Sequence, residues 1–186
     1  MTQGRSKDGT AQNQGKNREN WSKRTQLVHG GTRRSQYNEV SEAIFLTQGF
    51  VYDTAEQAEA RFIKVGDDEF IYARYGNPTV RMFEDRISAY LGFEDGFACA
   101  SGMAAVNGAL TALLKAGDHV VASRALFGSC LYVLQDVLAR FGVDVTLIDG
   151  TENAAWDAAL RPNTRLVFVE SISNPTLEVI DLRYVC

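Results

Sequence analysis

The sequence predicts an α/β fold built on a mostly parallel sheet, and three observations carry that expectation. From Asn77 onward, short apolar runs alternate with helix-length segments. Glycines stand where the chain should turn out of those helices, at Gly92, Gly117 and Gly142. The run Leu166-Val-Phe-Val169 lacks polar alternation, as expected of a strand covered on both faces. Strands separated by helices imply right-handed crossovers and hence parallel neighbours.

The elements follow in order. Residues 1–24 are rich in Gly, Ser, Asn, Gln, Lys and Arg, with Trp21 as their one aromatic. Such a stretch buries too little surface to offset its ordering entropy, so a disordered arm is expected. Residues 25–76 have globular composition but no strand-helix rhythm. Asp53-Thr-Ala-Glu56 has capping-box spacing, which predicts a short helix through Ala60 and Phe62 that ends by Gly66. Asn77-Pro78 reads as an N-cap followed by the first helical residue. Val80, Phe83, Ile87 and Leu91 then mark one helix face.

Residues 77–186 carry the alternating units. Strands are expected at 96–100, 119–123, 143–148 and 165–170. Helices are expected at 103–114, 129–141 and 152–160. Asp181 looks like a cap, with Leu182 opening another helix. Stopping at Cys186 leaves that helix barely begun and the sheet open, which reads as truncation.

Composition narrows the function. The 186 residues suffice for one domain with a core. A net charge of −4 argues against a nucleic-acid partner. No run of about 18 apolar residues predicts a membrane span, and the first residues lack a signal-peptide core. Cys99, Cys130 and Cys186 are odd in number and far apart. They read as reduced thiols in a cytoplasmic protein, with no metal site.

Four segments carry chemistry. In Ala98-Cys-Ala-Ser101-Gly102-Met103, a strand runs into an apolar helix. Helix N-termini present unpaired N–H groups and partial positive charge, which suits a phosphate. Gly102 permits close approach, and Ser101 either caps the helix or bonds a phosphate oxygen. Taken locally, phosphate binding and a plain strand-helix turn are equally good readings. Neither common nucleotide loop is present. Tyr72-Ala-Arg74-Tyr75 places two phenols and a guanidinium before a capped helix. It is either an anion clamp or a Tyr-anchored loop. Glu170-Ser-Ile-Ser-Asn174-Pro175 follows a strand, where α/β ligands bind, yet Asn-Pro also marks simple turns. Phe127, in Arg124-Ala-Leu-Phe127-Gly128, is either a stacking platform or a core aromatic. His119, at a strand start, reads as structural, and His29 has no evident partner.

Together these segments resemble the Cys/Met-metabolism family of pyridoxal-phosphate (PLP) enzymes. The similarity spans Thr25 to Asp181. Its motifs are Tyr72-x-Arg74-x-x-Asn77-Pro78-Thr79, Ala100-Ser101-Gly102-Met103-Ala104-Ala105, Lys115-Ala-Gly-Asp118-His119 and Glu170-x-x-x-Asn174-Pro175-Thr176. Within the family, His29-Gly-Gly-Thr-Arg33, Ser41-Glu-Ala-Ile and Leu126-Phe127-Gly128-Ser129-Cys130 are most similar to the O-succinylhomoserine sulfhydrylase branch. Cystathionine synthases and lyases usually have Tyr where Phe127 stands, and a Phe cannot pass a proton.

The resemblance implies the aspartate aminotransferase-like large domain of fold type I, incomplete here. It implies that Ser101, Gly102 and Met103 bind the cofactor phosphate, that Phe127 stacks on the pyridine ring and that Asn174 contacts the ring hydroxyl. Glu170 would support the site. Tyr72 and Arg74 would reach a neighbouring subunit's phosphate, which implies a homo-oligomer, a tetramer of paired subunits. Residues 25–76 would form part of that interface. The implied reaction joins O-succinyl-L-homoserine and sulfide into homocysteine and succinate. In the family pattern the Schiff-base lysine and the aspartate facing the pyridine nitrogen lie beyond residue 186, so no residue here is assigned a catalytic role. The alternatives are a cystathionine γ-synthase or lyase reaction, a non-catalytic fragment, or a nucleotide-binding domain.

Overall fold

A computed structural model describes residues 21–66 and 69–186. It comprises two compact units, Met1–Ala98 and Cys99–Cys186. Most of the expected disordered arm lies outside the described residues. Its last part does not fit that expectation, because Ser22 caps helix α1 (Lys23–His29) and accepts the Thr25 N–H at 3.2 Å. Ordinary N-cap chemistry starts the structure before residue 24.

In the first unit, α2 (Ala55–Ile63) is capped by Thr54 rather than by Asp53. Thr54 accepts the Gln57 N–H at 3.1 Å, and Gln57 Oε1 accepts the Asp53 N–H at 2.8 Å. The reciprocal box is therefore shifted by one residue, with Gln57 in the part expected of Glu56. Helix α3 (Pro78–Leu91) starts and stops as expected. Asn77 caps it, and Gly92 adopts the left-handed conformation at φ 79° that closes it.

Side chains of α3 tie the earlier chain down. Asn77 Nδ2 donates to the Phe45 carbonyl at 2.9 Å, and Thr79 Oγ1 accepts the Phe45 N–H at 2.9 Å. Arg86 donates to the Gly30 carbonyl at 2.8 Å and pairs with Glu42. The hydrogen bond from Arg86 to the Glu42 carboxylate is the main reason that carboxyl is lowered to about 2. The face marked by Val80, Phe83, Ile87 and Leu91 is exposed, whereas Met82 is buried. Helix α3 instead buries Pro78, Met82 and Ser88, so the stripe that periodicity marks is not the face turned to the described core.

The strand expected at 96–100 is absent. Asp95 Oδ1 accepts the Gly96 N–H and Glu84 Oε1 accepts the Ala98 N–H, both at 2.8 Å. Side chains thus take two of the amides that a ladder needs.

The second unit is a three-stranded parallel sheet in the order β2-β1-β3, with β1 His119–Ser123, β2 Asp144–Ile148 and β3 Thr164–Phe168. Helix α4 (Gly102–Leu113) precedes it. The first crossover is α5 (Gly128–Tyr132), a π turn (Val133–Val137) and α6 (Leu138–Arg140), where a single regular helix was expected. The second crossover is α7 (Asn153–Ala159), and α8 (Leu182–Val185) follows β3.

Strand β1 is buried along its whole length. On one face Val120 and Ala122 pack with Leu110, Leu126, Leu134, Leu138 and Val143. On the other, Val121 packs with Trp156 and Ile180. Strand β3 is not covered on both faces as expected. Arg165 and Val167 are exposed, because β3 is an edge strand with a register irregularity at its start.

His119 is fully buried at the base of the sheet. Its Nδ1 lies 2.7 Å from Thr164 Oγ1 and its Nε2 2.9 Å from Thr146 Oγ1, so the ring joins β3 to β2. The Arg161 N–H also donates to Thr164 Oγ1 at 2.7 Å, and Arg161 Nη2 to Thr146 Oγ1 at 2.9 Å. A neutral ring serves this network with one donor and one acceptor. Burial, then the Arg161 charge, holds the ring's pKa below the usual histidine value.

The unfolded chain therefore binds a proton that the folded chain refuses, and stability rises with pH in that window. The stabilisation is complete above about pH 6.5 and declines as pH falls toward the lowered folded value. The urea midpoint is expected to drop between pH 7 and 5, and His119→Gln is expected to flatten that slope. An equal slope in the variant would remove His119 as its source.

Candidate functional site

The first turn of α4 is open. Ser101 Oγ accepts the Ala104 N–H at 3.1 Å, and the Ser101 carbonyl accepts the Ala105 N–H at 3.0 Å. The Gly102 and Met103 N–H groups have no partner among the described residues. Ser101 and Gly102 are exposed, Met103 is half-buried, and a Cβ built on Gly102 would meet no atom within 4 Å. Met103, Val106 and Leu110 anchor the helix in the core beside Leu126 and Cys130. Two unpaired amides, a hydroxyl and a helix dipole in open space form a donor set that fits a phosphate group.

Phe127 and Asn174 follow the carboxyl ends of β1 and β3, where ligands of open α/β sheets sit. Both are exposed. Their loops meet on one carboxylate. Glu170 Oε1 accepts the Phe127 N–H at 2.8 Å, and Oε2 accepts the Asn174 N–H at 2.9 Å. Beyond Asn174 the chain folds back through an Ile172–Val179 bridge, and Ser173, fully buried, accepts the Glu178 N–H at 2.8 Å. An aromatic face and an amide side chain, each on an anchored loop, fit a flat polar ring.

Tyr72 and Arg74 belong to the first unit. The Arg74 guanidinium lies 4.7 Å from the Tyr72 ring centroid and 5.1 Å from that of Tyr75. It borders a cavity of about 1020 Å³ that Arg33 and Arg81 also line. Arg33 pairs with Asp85, and Arg81 with Glu84, Asp85 and Asp95. Among the described residues no carboxylate pairs with Arg74, so the two rings orient its charge without neutralising it.

The structure thus brings Phe127 and Asn174 together through Glu170, opens the amides at Ser101-Gly102-Met103 in the same unit, and places Tyr72 and Arg74 in the other. Sequence reasoning missed the two hydrogen bonds that Glu170 accepts from the Phe127 and Asn174 N–H groups. Their only local signal was an acid ending a strand before Asn-Pro. No group of metal-ligating side chains occurs among the described residues, and none of their helices is long and apolar enough to cross a membrane.

The chain resembles a solved structure of a Campylobacter jejuni protein, described as an O-acetylhomoserine (thiol)-lyase with N'-pyridoxyl-lysine-5'-monophosphate. The TM-score is 0.82 at 29% identity, covering 89% of this chain and 41% of that one. The parallel sheet and flanking helices are therefore those of the PLP-dependent transferase large domain, fold type I. Residues 24–186 match the profile of the Cys/Met metabolism PLP-dependent enzymes, and the chain belongs to that family.

An O-succinylhomoserine sulfhydrylase of Mycobacterium tuberculosis is 47% identical over 156 residues, which is 83% of this chain and 38% of the relative. An L-methionine gamma-lyase of Porphyromonas gingivalis is 38% identical over 162 residues, 87% of this chain and 40% of that one. The chain spans about two fifths of the length of these curated relatives.

Proposed function

We propose that this chain supplies the cofactor-phosphate and ring contacts of a PLP enzyme that converts O-succinyl-L-homoserine and sulfide to homocysteine and succinate. The observation that carries the cofactor reading is the open first turn of α4, with the Gly102 and Met103 N–H groups unpaired beside the Ser101 hydroxyl. The N–H groups donate to the phosphate oxygens, and the helix dipole adds positive potential. Phe127 stacks on the ring, and Asn174 Nδ2 donates to the ring hydroxyl oxygen. PLP, when bound, would supply an electron sink for the negative charge that develops at the amino-acid α-carbon. The protein's share is to fix that ring so that proton transfers occur at set distances.

Arg74, held against two phenol rings and paired with no carboxylate among the described residues, reaches the phosphate of a second subunit in a homotetramer. Higher identity to the sulfhydrylase than to the gamma-lyase supports replacement by sulfide over elimination. Phe127, which passes no proton, points the same way.

The cofactor site is tested with pyridoxine 5'-phosphate, which lacks the aldehyde and so forms no adventitious imine with surface lysines. Calorimetry is expected to show it binding at least about tenfold tighter than pyridoxine, a difference of about 1.4 kcal/mol. Equal affinities would remove the phosphate site, and tighter binding of AMP would favour a nucleotide domain. Product analysis on the whole enzyme decides the reaction. Homocysteine with succinate supports replacement, and 2-oxobutyrate with ammonia assigns elimination.

A further inference from the structure

We infer that Glu170 is a positioning residue for the cofactor ring, because its single carboxylate holds in register the two loops that present Phe127 and Asn174. The inference rests on the proposed ring contacts and deepens them. The two bonds, 2.8 Å from the Phe127 N–H and 2.9 Å from the Asn174 N–H, use different oxygens of one group. They link loops that follow different strands, β1 and β3. Phe127 lies 43 residues from Glu170 in sequence, so the link is tertiary and not a local turn.

Each loop is also held on its far side. The Phe127 carbonyl accepts the Cys130 and Leu131 N–H groups at 2.8 and 3.1 Å, which starts α5. Ser173, next to Asn174, is locked by Glu178 and by Thr176, whose hydroxyl lies 2.6 Å away. Glu170 thus closes a frame whose other sides are already hydrogen-bonded. An ionised carboxylate suits the task, since it is acceptor-only and can face two amides at once. The pKa of the Cys130 thiol is raised by burial and further by Glu170.

Substitutions resolve the frame. Glu170→Gln keeps the side-chain volume but turns one oxygen into an NH₂ that faces an N–H, so it holds one loop and releases the other. Glu170→Ala releases both. Neither touches the first turn of α4, whose capping bonds lie within residues 101–105. Ring affinity and phosphate affinity should therefore separate.

The experiment measures binding of pyridoxine 5'-phosphate and of inorganic phosphate to the parent chain and both variants, with amide hydrogen exchange by NMR. In Glu170→Ala, pyridoxine 5'-phosphate is expected to weaken about tenfold, as for loss of one to two charge-assisted bonds. Inorganic phosphate is expected to bind unchanged. The Phe127 and Asn174 amides are expected to exchange at least about tenfold faster, while Val120 and Val121 of β1 stay protected. Glu170→Gln is expected to fall between, with one of the two amides still protected.

Unchanged affinity for pyridoxine 5'-phosphate in both variants overturns the inference. So does an equal fall for both ligands, or loss of β1 protection in both variants, which would make Glu170 a residue of general stability. If the parent chain itself binds pyridoxine 5'-phosphate no better than phosphate, the proposed ring contacts fail first and the positioning role falls with them.

Discussion

Gly102→Asp is expected to weaken inorganic phosphate and pyridoxine 5'-phosphate about a hundredfold while leaving the chain at least as stable as the parent. The two effects have opposite signs because one carboxylate does both. At the first turn of a helix it meets unpaired N–H groups and a positive dipole, a contribution of about 0.3–1 kcal/mol in favour of folding. Replacing glycine also narrows the unfolded ensemble. No steric cost opposes this, since a Cβ on Gly102 meets nothing within 4 Å. The same carboxylate occupies the amides that a phosphate needs and repels it. At about 5 Å and an effective dielectric constant of about 40, two unit charges repel by about 1.7 kcal/mol. A phosphate carries about 1.5 to 2 charges, so the penalty approaches 3 kcal/mol, or roughly a hundredfold in affinity.

Gly102→Asn separates charge from size. It fills the same space without a charge and is expected to lose less than about fivefold, the remainder being competition for the amides. Calorimetric titration with thermal melts of all three proteins reads both effects. A folded Asp variant that binds phosphate like the parent would move the anion site away from α4.

What the sequence revealed depended on the range of the interaction responsible. The caps of α3 and α4 were legible because Asn77 bonds Thr79 and Ser101 bonds Ala104, within three residues. The parallel sheet was legible because each strand is short, apolar and followed by a helix. The absent strand at 96–100 was not. Its amides are claimed by Asp95 and by Glu84, and the Glu84 bond crosses 14 residues.

The helix face at Val80, Phe83, Ile87 and Leu91 shows the same limit. Periodicity finds an apolar stripe but says nothing of what lies against it. At the candidate site, Ser101, Gly102, Phe127 and Asn174 stood out by residue type beside strand ends. Glu170's grip on Phe127 spans 43 residues and had no local signature. His119 was correctly read as structural from its place at a strand start, but the two threonines that bond it came from other strands.

Leu134→Ala is expected to cost about 2–5 kcal/mol and to abolish cooperative unfolding of the second unit. Leu134 is fully buried in the π turn of the first crossover. It packs in the cluster with Leu110 of α4, Val120 and Ala122 of β1, and Leu138 of α6. Truncation there removes contacts to both the sheet and the helix that carries the open amides. Whole domains are stable by only about 5–15 kcal/mol, and this unit also exposes Leu113, Phe141, Leu160 and Val167. Its reserve is therefore small against such a loss. Gln135→Ala, at the next and exposed position, is expected to stay within about 0.5 kcal/mol of the parent. Urea unfolding by circular dichroism compares the two. Leu134→Ala should also lose phosphate binding, because the first turn of α4 keeps its aim only while Leu110 and Val106 stay seated in that core. Equal urea midpoints for the two variants would mean that the α4–β1 cluster does not hold the second unit together.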